Sequence, residues 1–333
     1  IKEVEVMGSS FITSEKNDDF ILLRGRDLQD LLVEVENYFL EYREKINLPS
    51  NVTFGVEIEY EGVSRVKTNK FIDKNLKDWI SKDDGSLQSG GEVTSPIMKD
   101  QVKYWRELKK VCEYLSKKGA DTSHNAGGHI HIGANVLGYD VEAWRVFLKL
   151  YTVYENVIFR FVYGDKISGR RELLKYAPPT ADFIYRLMPM INKAKSEHDI
   201  KNILLLLTKK RHVALNFDNV GSRKNTFEFR SPNASTNAVI WQNNINAVSK
   251  MLVSSKDKVL DEEFLDYKLE HEYFPYLEND YLYDVVNLKN VLEFVDLVFD
   301  NNLDKIYFLR QYLKNFQDNY GLSLAIKARR FVK

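Results

Sequence analysis

Phe54-Gly55-Val56-Glu57-Ile58-Glu59-Tyr60 alternates apolar and acidic side chains with period two. As a strand it turns Glu57 and Glu59 to one face and Val56, Ile58 and Tyr60 to the other. Three more segments share this grammar. Gly90-Gly91-Glu92-Val93-Thr94-Ser95-Pro96 puts Glu92 and Thr94 on one face. Gly127-Gly128-His129-Ile130-His131-Ile132-Gly133 sets two histidines against two isoleucines. Thr226-Phe227-Glu228-Phe229-Arg230-Ser231-Pro232 turns Glu228 and Arg230 away from Phe227 and Phe229. A water-washed outer face of an antiparallel sheet accounts for Glu57/Glu59 or Glu228/Arg230 taken singly. The histidine segment resists that account. Two of only six histidines stand on one strand face, flanked by glycines that let another group approach the backbone. Taken together, the four segments favour convergence on one site whose carboxylate and imidazole donors suit a divalent-cation cluster.

Around these strands the pattern is helical. Leu28, Leu31, Leu32, Val35, Tyr38, Phe39 and Tyr42 recur at helical spacing, so an amphipathic helix is expected over 28–46. A second helix is expected from Asp100 to Lys118, stopped by Gly119. A third runs from Val141 to Val162 with one stripe of Trp144, Phe147, Leu148, Tyr151, Tyr154, Ile158 and Phe161. Gly164–Arg171 reads as a loop and Pro178-Pro179 as a break. Helical pattern resumes from Ala181 to Thr208, and beyond Asn237 the chain reads as almost wholly helical. Strands interleaved with long helices predict an α/β or α+β fold.

Forty-eight basic side chains balance forty-eight acidic ones, which leaves no net field for general nucleic-acid or membrane-surface binding. The single cysteine, Cys112, excludes an intrachain disulfide framework and suits a reducing compartment. Its place among the apolar positions of a helix reads as an inert buried thiol. No run of about 18 apolar residues and no signal-peptide pattern is present, so a cytoplasmic location is expected. The chain opens on Ile1 rather than Met, which points to a processed or shortened chain.

The ordered set Phe-Gly-Val-Glu-Ile-Glu at 54–59, Asp-Gly-Ser at 84–86, Gly-Glu-Val-Thr-Ser-Pro at 91–96, Gly-His-Ile-His at 128–131 and Phe-Glu-Phe-Arg at 227–230 resembles the amidoligase family. That family is a branch of the superfamily of glutamine synthetase and glutamate–cysteine ligase, and the resemblance covers about residues 52–235. It implies an α+β fold: a glutamine-synthetase-like curved antiparallel β-sheet with helices on its outer face, plus a helical C-terminal region. The domains expected are an N-terminal extension over 1–50 with its amphipathic helix, a catalytic domain over 51–255, and a helical region over 256–333 packed on it.

The resemblance also implies ATP with Mg²⁺ or Mn²⁺ as cofactors and a carboxylate–amine ligase reaction through an acyl phosphate. Position by position, Glu57, Glu59, Glu92 and Glu228 match metal ligands. His129 or His131 contacts metal or nucleotide phosphate, and Arg230 matches an arginine that neutralises phosphate. Arg170 and Arg171 resemble an arginine segment touching ATP or acceptor, with Arg171 the candidate, or are two solvated loop arginines. Arg211, in the run Lys209–His212, reaches phosphate or belongs to a solvated helix end, and Asn216 ends the strand-like stretch after it. Asp84 orients the substrate amine or makes the Asp-Gly turn of a hairpin. His124 and Asn125 join the nucleotide site or fill a loop. The implied partners are an acid and an amine acceptor (amino acid, peptide or protein side chain), with neither nucleic acid nor membrane. There is no Gly-x-x-x-x-Gly-Lys-Ser/Thr phosphate loop. Alternative readings are a guanidino-kinase-type phosphotransferase, which lacks a candidate reactive cysteine here, a non-catalytic metal-binding scaffold, and a metal-dependent hydrolase.

Overall fold

The computed structural model describes residues 35, 38–87, 89–122, 124–166, 168–206, 212–257, 260–273 and 288–314. The apolar-inward alternation of the first strand finds its partners in a six-stranded, open, wholly antiparallel sheet within a mixed α/β fold. Its strands are β1 (Phe54–Glu61), β2 (Ile80–Lys82), β3 (Gly90–Thr94), β4 (Gly128–Gly133), β5 (Leu215–Asn216) and β6 (Thr226–Phe229), in the spatial order β2-β3-β1-β4-β6-β5. Between them lie helix α1 (Arg65–Asn75), α2 (Val102–Lys117), α3 (Val141–Val162), the short α4 (Leu173–Tyr176), α5 (Ala181–Ile191) and α6 (Glu197–Leu204). After β6 come α7 (Ala238–Asp257), α8 (Glu262–His271), α9 (Leu288–Val298) and α10 (Asn302–Leu313).

One face of the sheet is apolar throughout. Val56 and Ile58, Val93, Ile130 and Ile132, Phe227 and Phe229, and Leu215 are all buried. Helix α2 covers one part of it, with Trp105 stacked on Phe54 at 5.0 Å. Helix α3 covers another: the Phe147 and Phe227 ring centres lie 4.9 Å apart and those of Tyr151 and Phe229 6.2 Å. Asp140 caps α3 by accepting from the backbone N–H of Glu142 and Ala143. From Ala143 onward α3 is buried nearly all round rather than along one stripe, because a second layer of helices backs it. Phe161 stacks on Phe308 of α10 at 3.9 Å, and the Tyr154 and Phe294 rings meet edge-on between α3 and α9. The described part of the C-terminal region thus shares one apolar core with the sheet. No helix among the described residues is long and apolar enough to cross a membrane.

Two helical expectations change. Residues 1–34, 36 and 37 of the N-terminal segment lie outside the described residues, and residues 38–46 are not helical. Other parts of the molecule take the donors that a helix would use internally. The backbone N–H of Glu41 donates to the Tyr307 hydroxyl, that of Arg43 to Gln242 Oε1, and those of Ile46 and Leu48 to the two Asp100 carboxylate oxygens. The pattern from Ala181 to Thr208 divides into α5 and α6, and residues 207–211 are outside the described residues. The division comes from a capping box, in which Ser196 accepts from the Asp199 N–H while Asp199 accepts from that of Ser196. Helix α2 ends as its sequence indicates, with Gly119 at φ +73°.

Candidate metal and phosphate site

Register decides which side chains meet on the polar face. Across β1 and β3, Glu59 pairs with Glu92 and Glu57 with Thr94. Across β1 and β4, Glu57 pairs with His129 and Gly55 with His131. Across β4 and β6, His131 pairs with Glu228, which in turn pairs with Asn216 of β5. Because side chains alternate, this register puts Glu57, Glu59, Glu92, His129, His131 and Glu228 on one face, opposite the apolar core.

The donors lie close together. His129 Nδ1 is 2.9 Å from Glu57 Oε2 and 3.7 Å from Glu228 Oε1, and its Nε2 is 3.5 Å from Glu59 Oε1. His131 Nε2 is 3.3 Å from Glu57 Oε1. Three overlapping triads each offer ligand atoms within 4.8 Å of one another: Glu57, Glu92 and His129; Glu57, His131 and Glu228; and Glu59, Asp84 and Glu92. Glu57 belongs to two of them and Glu92 to two. The third is built from oxygen alone, and the other two add an imidazole.

The electrostatics follow from this crowding. Burial by itself raises the Glu57 carboxyl, but hydrogen bonds and charge from His129 and His131 hold it well below the usual carboxylate range, so it is ionised. Burial and then the charge of Glu57 push Glu92 up, against the Thr94 hydroxyl that donates to it at 2.7 Å and the Lys82 ammonium 3.5 Å away. Carboxylates so packed repel one another, and a cation placed among them offsets that repulsion. Donor type, spacing and charge all fit a hard divalent ion.

Arg230 donates to Glu228 Oε1 at 2.5 Å, and its buried Nε has no hydrogen-bond partner among the described residues. Asn216 is buried across from Glu228, and its Oδ1 accepts from the Asp218 N–H. The turn reading of Asp84 is the one the hydrogen bonds show. Its carboxylate accepts from the Ser86 N–H and hydroxyl, closing the turn after β2, and it also completes the oxygen triad with Glu59 and Glu92. Arg171 is exposed, and its backbone N–H donates to His124 O. Its neighbour Arg170 is the arginine that reaches the sheet, buried against the backbone after β6. Arg211 lies outside the described residues. His124 is exposed beside Asp121, while Asn125 donates to Glu61 at the end of β1. Cys112 is buried in α2, where burial pushes its thiol up, so it offers no nucleophile.

Sequence reasoning passed over Glu61, although its signal was the same period of two that singled out Glu57 and Glu59. It also passed over Lys82, whose register opposite Glu92 depends on the short strand β2.

No curated protein matches the chain. Residues 78–252, from just before β2 into α7, match the family described as "Putative amidoligase enzyme". That span is more than half of the 333 residues and takes in five of the six strands, all but β1, and most of the residues of the polar face. A fold whose sheet gathers carboxylates, imidazoles and an arginine on one face therefore carries a ligase family's signature: the chain belongs to the amidoligase family.

Proposed function

We propose that the chain is an ATP-dependent carboxylate–amine ligase that works with Mg²⁺ or Mn²⁺ through an acyl phosphate. The observation that carries this reading is Glu57, an ionised carboxylate shared by two ligand triads at the centre of the polar face. Glu57, Glu59, Glu92 and Glu228, with His129, would hold the divalent ions. Bound there, such ions supply charge neutralisation for a polyphosphate chain during phosphoryl transfer.

The chain's own residues do the rest. Arg230, with donor capacity to spare at its buried Nε, contacts phosphate oxygens through its planar fork. His131 and Asn216 line the nucleotide side, with Arg211 and Arg171 as further phosphate contacts. Asp84, at the other end of the face, orients the amine and accepts its proton. In the reaction the substrate carboxylate attacks the γ-phosphorus and ADP leaves. The amine then attacks the acyl carbon, the amide forms, and phosphate departs. Water exclusion matters here, because an acyl phosphate left open to solvent hydrolyses.

Calorimetry with a non-hydrolysable ATP analogue, with and without Mg²⁺, tests this in the wild type and in Glu57→Gln. Removing the shared carboxylate is expected to weaken Mg²⁺-dependent binding at least about tenfold while leaving a cooperative thermal transition. Equal nucleotide affinity in both proteins would sink the reading.

A further inference from the structure

Arg170 is a buried guanidinium held against backbone at the end of β6, and the ligase reading gives it no contact with substrate. Its surroundings are specific. Its NH2 donates to Arg230 O at 3.0 Å, and its NH1 donates to Pro232 O at 2.9 Å and to Ser231 O at 3.4 Å. Three consecutive carbonyls are thus held by one planar group, and they belong to the segment that carries Arg230 off the end of β6. The clasp closes in the opposite direction as well. Asn233 Oδ1 accepts from the Arg170 backbone N–H at 2.9 Å, while Asn233 Nδ2 donates to the carbonyls of Tyr163 and Ser168.

The strand beside this clasp is shaped to admit it. A Cβ on Gly127 would stand 3.0 Å from Arg170 Cζ and 3.1 Å from Glu59 Oε2, so the guanidinium lies against backbone that only glycine leaves bare. Burial lowers the Arg170 pKa to about 10, opposed by the carboxylate of Glu59 and assisted by the charge of Arg230, so the group stays charged. Arginine rather than lysine is required here, because one ammonium on a flexible stem cannot span three carbonyls at once.

We infer that Arg170 is a positioning residue: by clamping the 230–232 backbone carbonyls it fixes where the Arg230 guanidinium stands on the polar face. A group held this way keeps its geometry without reorganisation, and small displacements of such a group are costly. The role needs no direct contact between Arg170 and ligand. It rests on the ligase reading above only for the identity of the ligand that Arg230 meets.

Two variants loosen the clasp from opposite sides, Arg170→Lys with the charge retained and Asn233→Ala. Each is expected to bind Mn²⁺ within about twofold of the wild type, because the carboxylates are untouched, and to bind the Mg²⁺–ATP analogue about tenfold more weakly. The Arg170→Lys effect is expected to fall below about twofold in an Arg230→Ala background, since nothing is left to position. Equal losses in both backgrounds, or parallel loss of metal and nucleotide in both variants, would assign Arg170 to the fold alone and overturn the inference. Hydrogen exchange without any ligand reads the same clasp. The amides of Arg230, Ser231, Asn233 and Ala234 are expected to exchange faster in Arg170→Lys while those of β1 do not change, and unchanged exchange there also overturns it. A wild type that binds no nucleotide would defeat the ligase reading, and the exchange result would still decide the role of Arg170.

Discussion

His129 and His131 sit two residues apart on one strand, yet the structure gives them unequal roles. His129 is 5% exposed and within 3.7 Å of three carboxylates from β1 and β6, whereas His131 is more open and faces Glu57. Removing the first takes a shared partner from three carboxylates, two of them buried, and removing the second takes one from Glu57 alone. His129→Ala is therefore expected to lower Mn²⁺ affinity about ten- to a hundredfold and His131→Ala several times less, as titration of the two variants will read. Equal losses would show that the register contributes nothing to the difference. Alternation placed both imidazoles on the polar face at the sequence level, but their ranking needed Glu57 opposite one of them and Glu228 opposite the other. Arg170 and Arg171 make the same point: the two adjacent arginines look alike in sequence, and one is buried against carbonyls while the other is exposed.

At the scale of elements, the glycines that flank the histidine strand serve side chains arriving from elsewhere. A Cβ on Gly128 would meet the Trp241 ring of α7 at 2.5 Å and Asn233 O at 3.1 Å. Neither neighbour yields cheaply, since Trp241 is buried and its Nε1 donates to Ser235 O at 2.8 Å. Gly128→Ala is expected to destabilise the protein by about 1–3 kcal/mol, measured as a lowered urea midpoint with an unchanged slope. The sequence signalled a close approach at these positions but not its agents, Trp241 on one strand residue and Arg170 on the other. The four long-range strands were legible because their alternation is strict. Strands β2 and β5 have three and two residues, too short for periodicity to mark, and they exist through pairing with β3 and β6. Residues 38–46 show the opposite case, where helical spacing lost to Asp100, just before α2, and to side chains of α7 and α10 that capture the backbone.

For the molecule as a whole, α3 is the common wall between the sheet and the C-terminal helices. Phe308 of α10 touches it through Phe161 and also meets Phe294 and Phe299 at 5.0 and 5.7 Å. Polar contacts add to this wall: Lys268 of α8 pairs with Glu293 of α9 at 2.7 Å, and Tyr154 of α3 donates to the same carboxylate. Phe308→Ala is expected to cost about 3–5 kcal/mol. Because the core is shared, the loss should appear as a lower midpoint of one transition rather than as separate melting of the C-terminal helices. Calorimetry showing two transitions would mean that the helices fold apart from the sheet.

By itself the sequence determined the strand grammar, the principal helices and the set of acids, imidazoles and arginines available for chemistry, because side-chain period and local breaks are properties of neighbouring residues. Only the tertiary structure decided which of them meet. Strand order puts β1 between β3 and β4, and register sets Glu59 against Glu92, Glu57 against His129 and His131 against Glu228. A one-residue slip in any of these pairings would turn a whole ligand face into the core. Pairings between residues separated by 33 (Glu59 and Glu92) to 97 (His131 and Glu228) positions are chosen by the burial of Val56, Ile130 and Phe227 on the reverse face, so the apolar side of the sheet is what assembles the polar one.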